Sequence, residues 1–157
     1  MKYIVPVILG VLLLVLSFLC PFLVILTLPF IKWDKQPTDG VIRGDLPKWL
    51  SWFSTPDERL PGGMYEPTVK KIYDKYGKWF TSWYWLGVRN CLMTLAVRLG
   101  KPTTDYIPET PLGFWERGDI WRYSCTLGPI KFVTGYQVYK VLDRSFQAAP
   151  VFTLKRY

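Results

Sequence analysis

The sequence predicts an α+β fold: an N-terminal transmembrane helix, then a small domain of two or three helices and an antiparallel β meander. Three observations lead there. Residues Tyr3 to Ile31 carry no charged side chain; Pro67 to Gly100 shows helical spacing and helix punctuation; and after Thr103 come short aromatic and β-branched runs separated by Gly and Pro.

The first element rests on length. A helix needs roughly 20 apolar residues to cross the hydrocarbon core, and the uncharged run is longer than that. A cleaved signal sequence would have an apolar stretch of about 7–15 residues and a small-residue cleavage site. Here the run ends in Pro29-Phe30-Ile31-Lys32-Trp33, and the bulky Leu19 before Cys20 argues against lipoprotein processing. Pro21 predicts a kink, because its ring clashes with the preceding turn and it lacks an N–H. A shallow hairpin with its apex near Pro21 is the competing geometry. Lys2 precedes the run, while Lys32, Lys35, Arg43 and Lys48 follow it, which predicts that the C-terminal part is cytoplasmic.

Residues 32–45, KWDKQPTDGVIRGD, read as a juxtamembrane linker, and residues 46–157 as the cytoplasmic α+β domain. Lys32 and Trp33 sit where an interfacial anchor belongs. Leu46, Trp49, Leu50 and Phe53 recur at helical spacing. That segment is either a short core helix or an amphipathic turn that rests Trp49 and Trp52 among headgroups.

The turn-rich STPDERLPGGMYEP follows. Its Asp57 and Glu58 are adjacent carboxylates, and acid–base chemistry needs a defined separation in a shaped cleft. They are expected to cap helices or meet water. From Pro67, Val69, Ile72, Tyr73 and Tyr76 form one stripe, Gly77 interrupts it, and the segment SWYWLGVRNCLMTLAVRLG stops at a glycine with proline two residues on. Residues 79–97 could form a second span, but Arg89 lies near the middle, and an arginine there costs about 2.5–3.5 kcal/mol. A central domain helix fits better, as a helical hairpin or one long bent helix. In that setting Arg89, beside Asn90, needs a carboxylate, and Asp57 or Glu58 is the expected source. The other reading makes Arg89 a ligand for a phosphate headgroup, which guanidinium binds bidentately.

TDYIPETPLGFWERGD reads as a Pro-rich loop, and IWRYSCTL, IKFV, YQVYKVL and VFTLKR read as short strands, with Gly128-Pro129 and Gly135 as turns or bulges.

Composition narrows function. Half the residues are hydrophobic, 17% aromatic, and the net charge is +8 with no histidine. Histidine catalysis and histidine metal sites are therefore excluded. Three scattered cysteines, Cys20, Cys91 and Cys125, make neither a zinc motif nor a disulfide framework. No phosphate-binding glycine loop is present, so no cofactor and no enzymatic activity are expected. The positive balance suits anionic lipid headgroups, at about 1 kcal/mol for each Lys or Arg held at the surface. Basic–aromatic interleaving in WRYSCTLGPIKFVTGYQVYK could instead stack single-stranded nucleic acid.

The block WFSTPDERLPGGMYEPTVKKIYDKYGKWFTSWYWLGVRN resembles a group of short, uncharacterised, N-terminally membrane-anchored proteins of tailed bacteriophages and prophages. Its features fall on Trp52-Phe53, Thr55-Pro56-Asp57, Trp83 to Trp85, Arg89-Asn90 and Leu99-Gly100. The resemblance implies a phage accessory protein at the host inner membrane, one that alters how phages enter or excludes superinfecting phages. Roles as a virion or lysis component, or as a tethered nucleic-acid-binding module, are the alternatives. It leaves room for a host or phage membrane protein as partner.

Overall fold

The computed structural model describes residues 1–55, 58–104, 112–140 and 146–156. An N-terminal apolar helix is followed by further helices and an open antiparallel sheet. The chain forms two compact units: Met1–Leu16 with Leu95–Tyr157, and Ser17–Thr94.

The apolar run forms α1 (Ile4–Thr27), continued by a 3-10 turn at Leu28–Phe30. Its leucine-rich sequence has high helix propensity, and Pro21 sits inside the helix. Ile4–Phe30 is long and apolar enough to cross a membrane.

In the Ser17–Thr94 unit, β1 (Lys32–Trp33) pairs antiparallel with β2 (Gly44–Asp45), and Thr38 bridges Val41. The segment expected to be a linker is thus a hairpin. Its tip is Asp39-Gly40, both at positive φ, which is the backbone an Asp-Gly turn favours. Arg59 holds the two arms together. Its guanidinium reaches Asp34 at 2.9 and 3.0 Å and Asp45 at 2.6 to 3.1 Å, and the Asp34 carboxyl is held below the usual carboxylate range beside it. A 3-10 helix follows at Lys48–Phe53.

Helix α2 (Pro67–Tyr84) starts with proline in its first turn and kinks at Gly77, whose φ of 76° and ψ of −179° are non-helical. It passes into a π-helical turn at Trp85–Arg89, closed by the Asn90 N–H on the Trp85 carbonyl at 2.9 Å. Leu92 then takes positive φ before α3 (Met93–Arg98). Residues 79–97 are therefore the end of α2, a π turn and α3 rather than one continuous helix.

The other unit holds the sheet. Its strands are β3 (Lys101–Thr103), β4 (Gly113–Arg117), β5 (Ile120–Leu127), β6 (Ile130–Lys140) and β7 (Phe146–Arg156), in the order β3-β7-β6-β5-β4, all antiparallel. Two-residue turns at Gly118-Asp119 and Gly128-Pro129 join β4 to β5 and β5 to β6. The runs IKFV and YQVYK are one strand passing through Gly135, and GFWER, read from sequence as loop, is the edge strand β4. The sheet core gathers Ile120, Trp121, Tyr136, Val138 and Ala148, with Val7 of α1 packed against it.

Candidate membrane-contact site

Each unit covers one side of its part of α1 and leaves the other side bare. In the sheet-bearing unit, Pro6 and Gly10 are buried while Ile4, Val5, Ile8, Val11, Leu12 and Val15 are exposed. A Cβ on Gly10 would stand 2.7 Å from the Val151 carbonyl carbon, so only glycine allows this approach. The segment before α1 is tied down as well. Lys2 pairs with Glu116, the Tyr3 hydroxyl donates to Glu116 at 2.9 Å, and the Trp121 indole N–H donates to the Lys2 carbonyl at 3.2 Å. The Lys2 ammonium and Tyr3 hydroxyl hold the Glu116 carboxyl below the usual carboxylate range.

In the other unit, Cys20, Val24 and Thr27 are buried, and Phe18, Leu19, Phe22, Leu23, Ile25 and Leu26 are exposed. The covering residues come from α2 and the π turn. Trp83 donates its indole N–H to the Pro21 carbonyl at 2.9 Å, and the Cys20 thiol donates to the Leu86 carbonyl at 3.6 Å. Gly87 lies so close that a Cβ there would sit 3.0 Å from the Pro21 Cα. Thr81 and Ser82, both fully buried, spend their hydroxyls on the Gly77 and Lys78 carbonyls at 2.9 and 2.8 Å. Small side chains and self-satisfied hydroxyls permit this close helix packing.

Two groups of residues expected to matter separate here. Of the interfacial set, Trp49 and Trp52 are exposed, Trp49 with its ring 5.2 Å from Phe30 at the end of the apolar segment. Lys32 is exposed, whereas Trp33 is half-buried between the Trp79 ring at 5.2 Å and the Lys78 ammonium at 4.7 Å. This arrangement joins aromatic surface to exposed cations, as side chains at a headgroup layer do.

The second group does not assemble as expected. The side chain of Arg89 is 50% exposed and meets Glu66 at 3.4 Å, not Glu58. The Glu58 carboxylate accepts the Gly63 N–H, Asn90 contributes backbone bonds, and Asp57 lies outside the described residues. The π turn, by delivering Arg89 to the surface, removes the need for a buried partner. An exposed pair contributes about 0–1 kcal/mol, so Arg89→Leu should leave the chemical denaturation midpoint nearly unchanged. A loss of the ~3–5 kcal/mol expected for a broken buried pair would contradict this placement.

Sequence reasoning missed Arg59, Glu66, Glu116 and Gly87. The first three are ordinary surface charges until the fold brings their partners near. Among the described residues, no group of three or more His, Cys, Asp or Glu side chains could hold a metal ion. An open cleft of about 560 Å³ is lined by Arg43, Glu58, Arg59, Tyr65 and Lys70. Most of its charges are already engaged, Arg59 by Asp34 and Asp45 and Lys70 by Asp74.

The chemistry this surface supports is apolar insertion beside cationic and aromatic side chains, in a small membrane-anchored domain without obvious catalytic machinery among the described residues. No curated protein and no solved structure matches the chain. A family of unknown function (DUF7338) matches residues 1–111, well over half of the 157 residues, and the chain belongs to that family.

Proposed function

We propose that this is a non-enzymatic phage accessory protein that works at the inner membrane of a bacterial host and hinders other phages from delivering their genomes. The observation that carries the membrane half is the bare apolar side of α1, from Ile4 to Leu26. Its exposed phenylalanines and leucines have no partner among the described residues, and water is a poor solvent for so long an apolar strip. The excess of Lys and Arg after the apolar run supports a cytoplasmic orientation, and the exposure of Lys32, Trp49 and Trp52 supports contact with anionic headgroups. The phage half is supported by the resemblance of residues 52–90 to phage and prophage proteins.

Expression of the full chain in a bacterial host, followed by challenge with tailed phages, tests this reading. The expected result is normal phage adsorption, reduced genome delivery and undisturbed growth. Growth arrest with permeabilised membranes would point to lysis, and recovery of the chain in purified particles would point to a virion part. Unimpaired infection by a broad panel of phages would overturn the exclusion role.

A further inference from the structure

We infer that Cys20 and Cys91 form a redox pair, which a hydroperoxide closes into a disulfide that staples α1 to the turn after the π helix. The inference goes beyond the proposed function and does not depend on it.

The three cysteines are scattered in sequence, but the fold of the Ser17–Thr94 unit brings two of them together. Cys20 is fully buried, Cys91 is half-buried, and a hydrogen bond joins their sulfurs. The backbone around them builds this contact. Pro21 accepts the Trp83 indole N–H on its carbonyl at 2.9 Å, and Gly87 packs where a Cβ would stand 3.0 Å from the Pro21 Cα. That approach lets the Cys20 thiol donate to the Leu86 carbonyl at 3.6 Å, while the Cys91 thiol donates to the Gly87 carbonyl at 2.5 Å. Neighbouring carbonyls of one π turn thus hold both thiols. From the next residue, the Leu92 N–H bonds to the Cys20 sulfur. Leu92 is buried at a φ of 55°, a conformation that strains a leucine, and the strained turn sets Cys91 against α1.

The two sulfurs divide the chemistry by access. Redox-active cysteines pair a reachable thiolate with a resolving thiol beside it, and here Cys91 is the reachable one. Its thiol titrates below the usual thiol range, chiefly because the Cys20 S–H donates to its thiolate, which is the nucleophilic form. The Cys91 thiolate attacks one oxygen of the hydroperoxide and the O–O bond breaks. The leaving oxygen takes up the proton that Cys91 gave up, and Cys91 becomes a sulfenic acid. The Cys20 sulfur then attacks the Cys91 sulfur. An S–S bond forms, the S–O bond breaks, and hydroxide leaves as water with the Cys20 proton. In sum two thiols give up two electrons and two protons, and hydrogen peroxide becomes two molecules of water. The new bond, about 2.05 Å long, is shorter than any hydrogen-bonded contact between sulfurs, so closing it draws the Cys91 turn onto α1 until a dithiol reduces it.

The full chain in host membranes, treated with hydrogen peroxide, tests this. The reaction is quenched in acid, the chain is unfolded, and free thiols are blocked with a maleimide before digestion without reductant. Mass spectrometry should find a peptide pair linked through Cys20 and Cys91. The maleimide-reactive thiols should fall from three to one, Cys125, and return to three after dithiothreitol. In a Cys20→Ser chain the same treatment should leave Cys91 as a sulfenic acid that dimedone captures. Cys20 and Cys91 both remaining thiols after millimolar peroxide would overturn the inference. So would Cys91 oxidised to a sulfinic acid beside a free Cys20 thiol, or a link that runs through Cys125 instead. A Cys20–Cys91 link that forms as fast in the chain unfolded beforehand would show chance pairing and would overturn it too.

Discussion

Trp85→Ala should destabilise the Ser17–Thr94 unit by about 3–5 kcal/mol, the usual cost of emptying a fully packed aromatic site. The ring is 4% exposed, its indole N–H points to the Thr55 hydroxyl at 3.4 Å, and it closes over the backbone of Gly62 and Gly63. Those glycines both have positive φ, and a Cβ on either would collide with the ring. Gly63→Ala should therefore be comparably damaging for two separate reasons, strain and overlap. Denaturant melts followed by tryptophan fluorescence in detergent or vesicles measure both. A loss below about 1 kcal/mol for Trp85→Ala would mean that the turn after Ser54 is held by something other than this wedge.

The paired change Phe22→Lys, Leu26→Lys should release the protein from membranes while leaving its fold intact. Both side chains are about 70% exposed in the protein itself, so little packing is lost within it. In lipid each would bury an apolar side chain worth roughly 1.5–3 kcal/mol, and lysine adds the cost of desolvating charge. Together they should shift the partition at least a hundredfold toward water, since about 1.4 kcal/mol is a factor of ten. Carbonate-washed membranes should retain the parent and lose the variant. By contrast Gly87→Leu, which overlaps Pro21, should fail by misfolding, and the two failures are told apart by circular dichroism.

Elements fixed by local chemistry were the legible ones. An uncharged run from Tyr3 to Ile31 leaves little choice but helix, and Gly128-Pro129 marks a hairpin wherever it lies between β-branched runs. Two further turns carry weaker signals of the same kind. Asp39-Gly40 is the turn of the 32–45 hairpin, and Gly118-Asp119, two residues between GFWER and IWRYSCTL, is the turn that makes β4 a strand. The proline-rich sequence before it obscures β4.

Other features could not be read, because they depend on residues far apart in sequence. Lys2 meets Glu116 across 114 residues, and Trp83 meets Pro21 across 62. Arg89 does meet a carboxylate of the turn-rich segment, but it is Glu66 rather than Glu58, and the pair is exposed rather than buried. Helical spacing carried through residues 85–89 places that arginine inward, but a π turn inserts an extra residue and rotates the side chain to the surface, where Glu66 receives it. The interfacial set fared according to position: Trp49 and Trp52 are exposed, while Trp33 is drawn in by Trp79 and Lys78.

The account depends above all on the bare side of α1 resting in hydrocarbon. A spin label placed at Phe22 in the full-length protein, reconstituted in vesicles containing anionic lipid, tests that directly. The predicted result is fast relaxation by dissolved oxygen and protection from a water-soluble nickel chelate. A label at Tyr65, 74% exposed in the same unit, should show the reverse. Equal access of the nickel chelate to both positions would contradict the account.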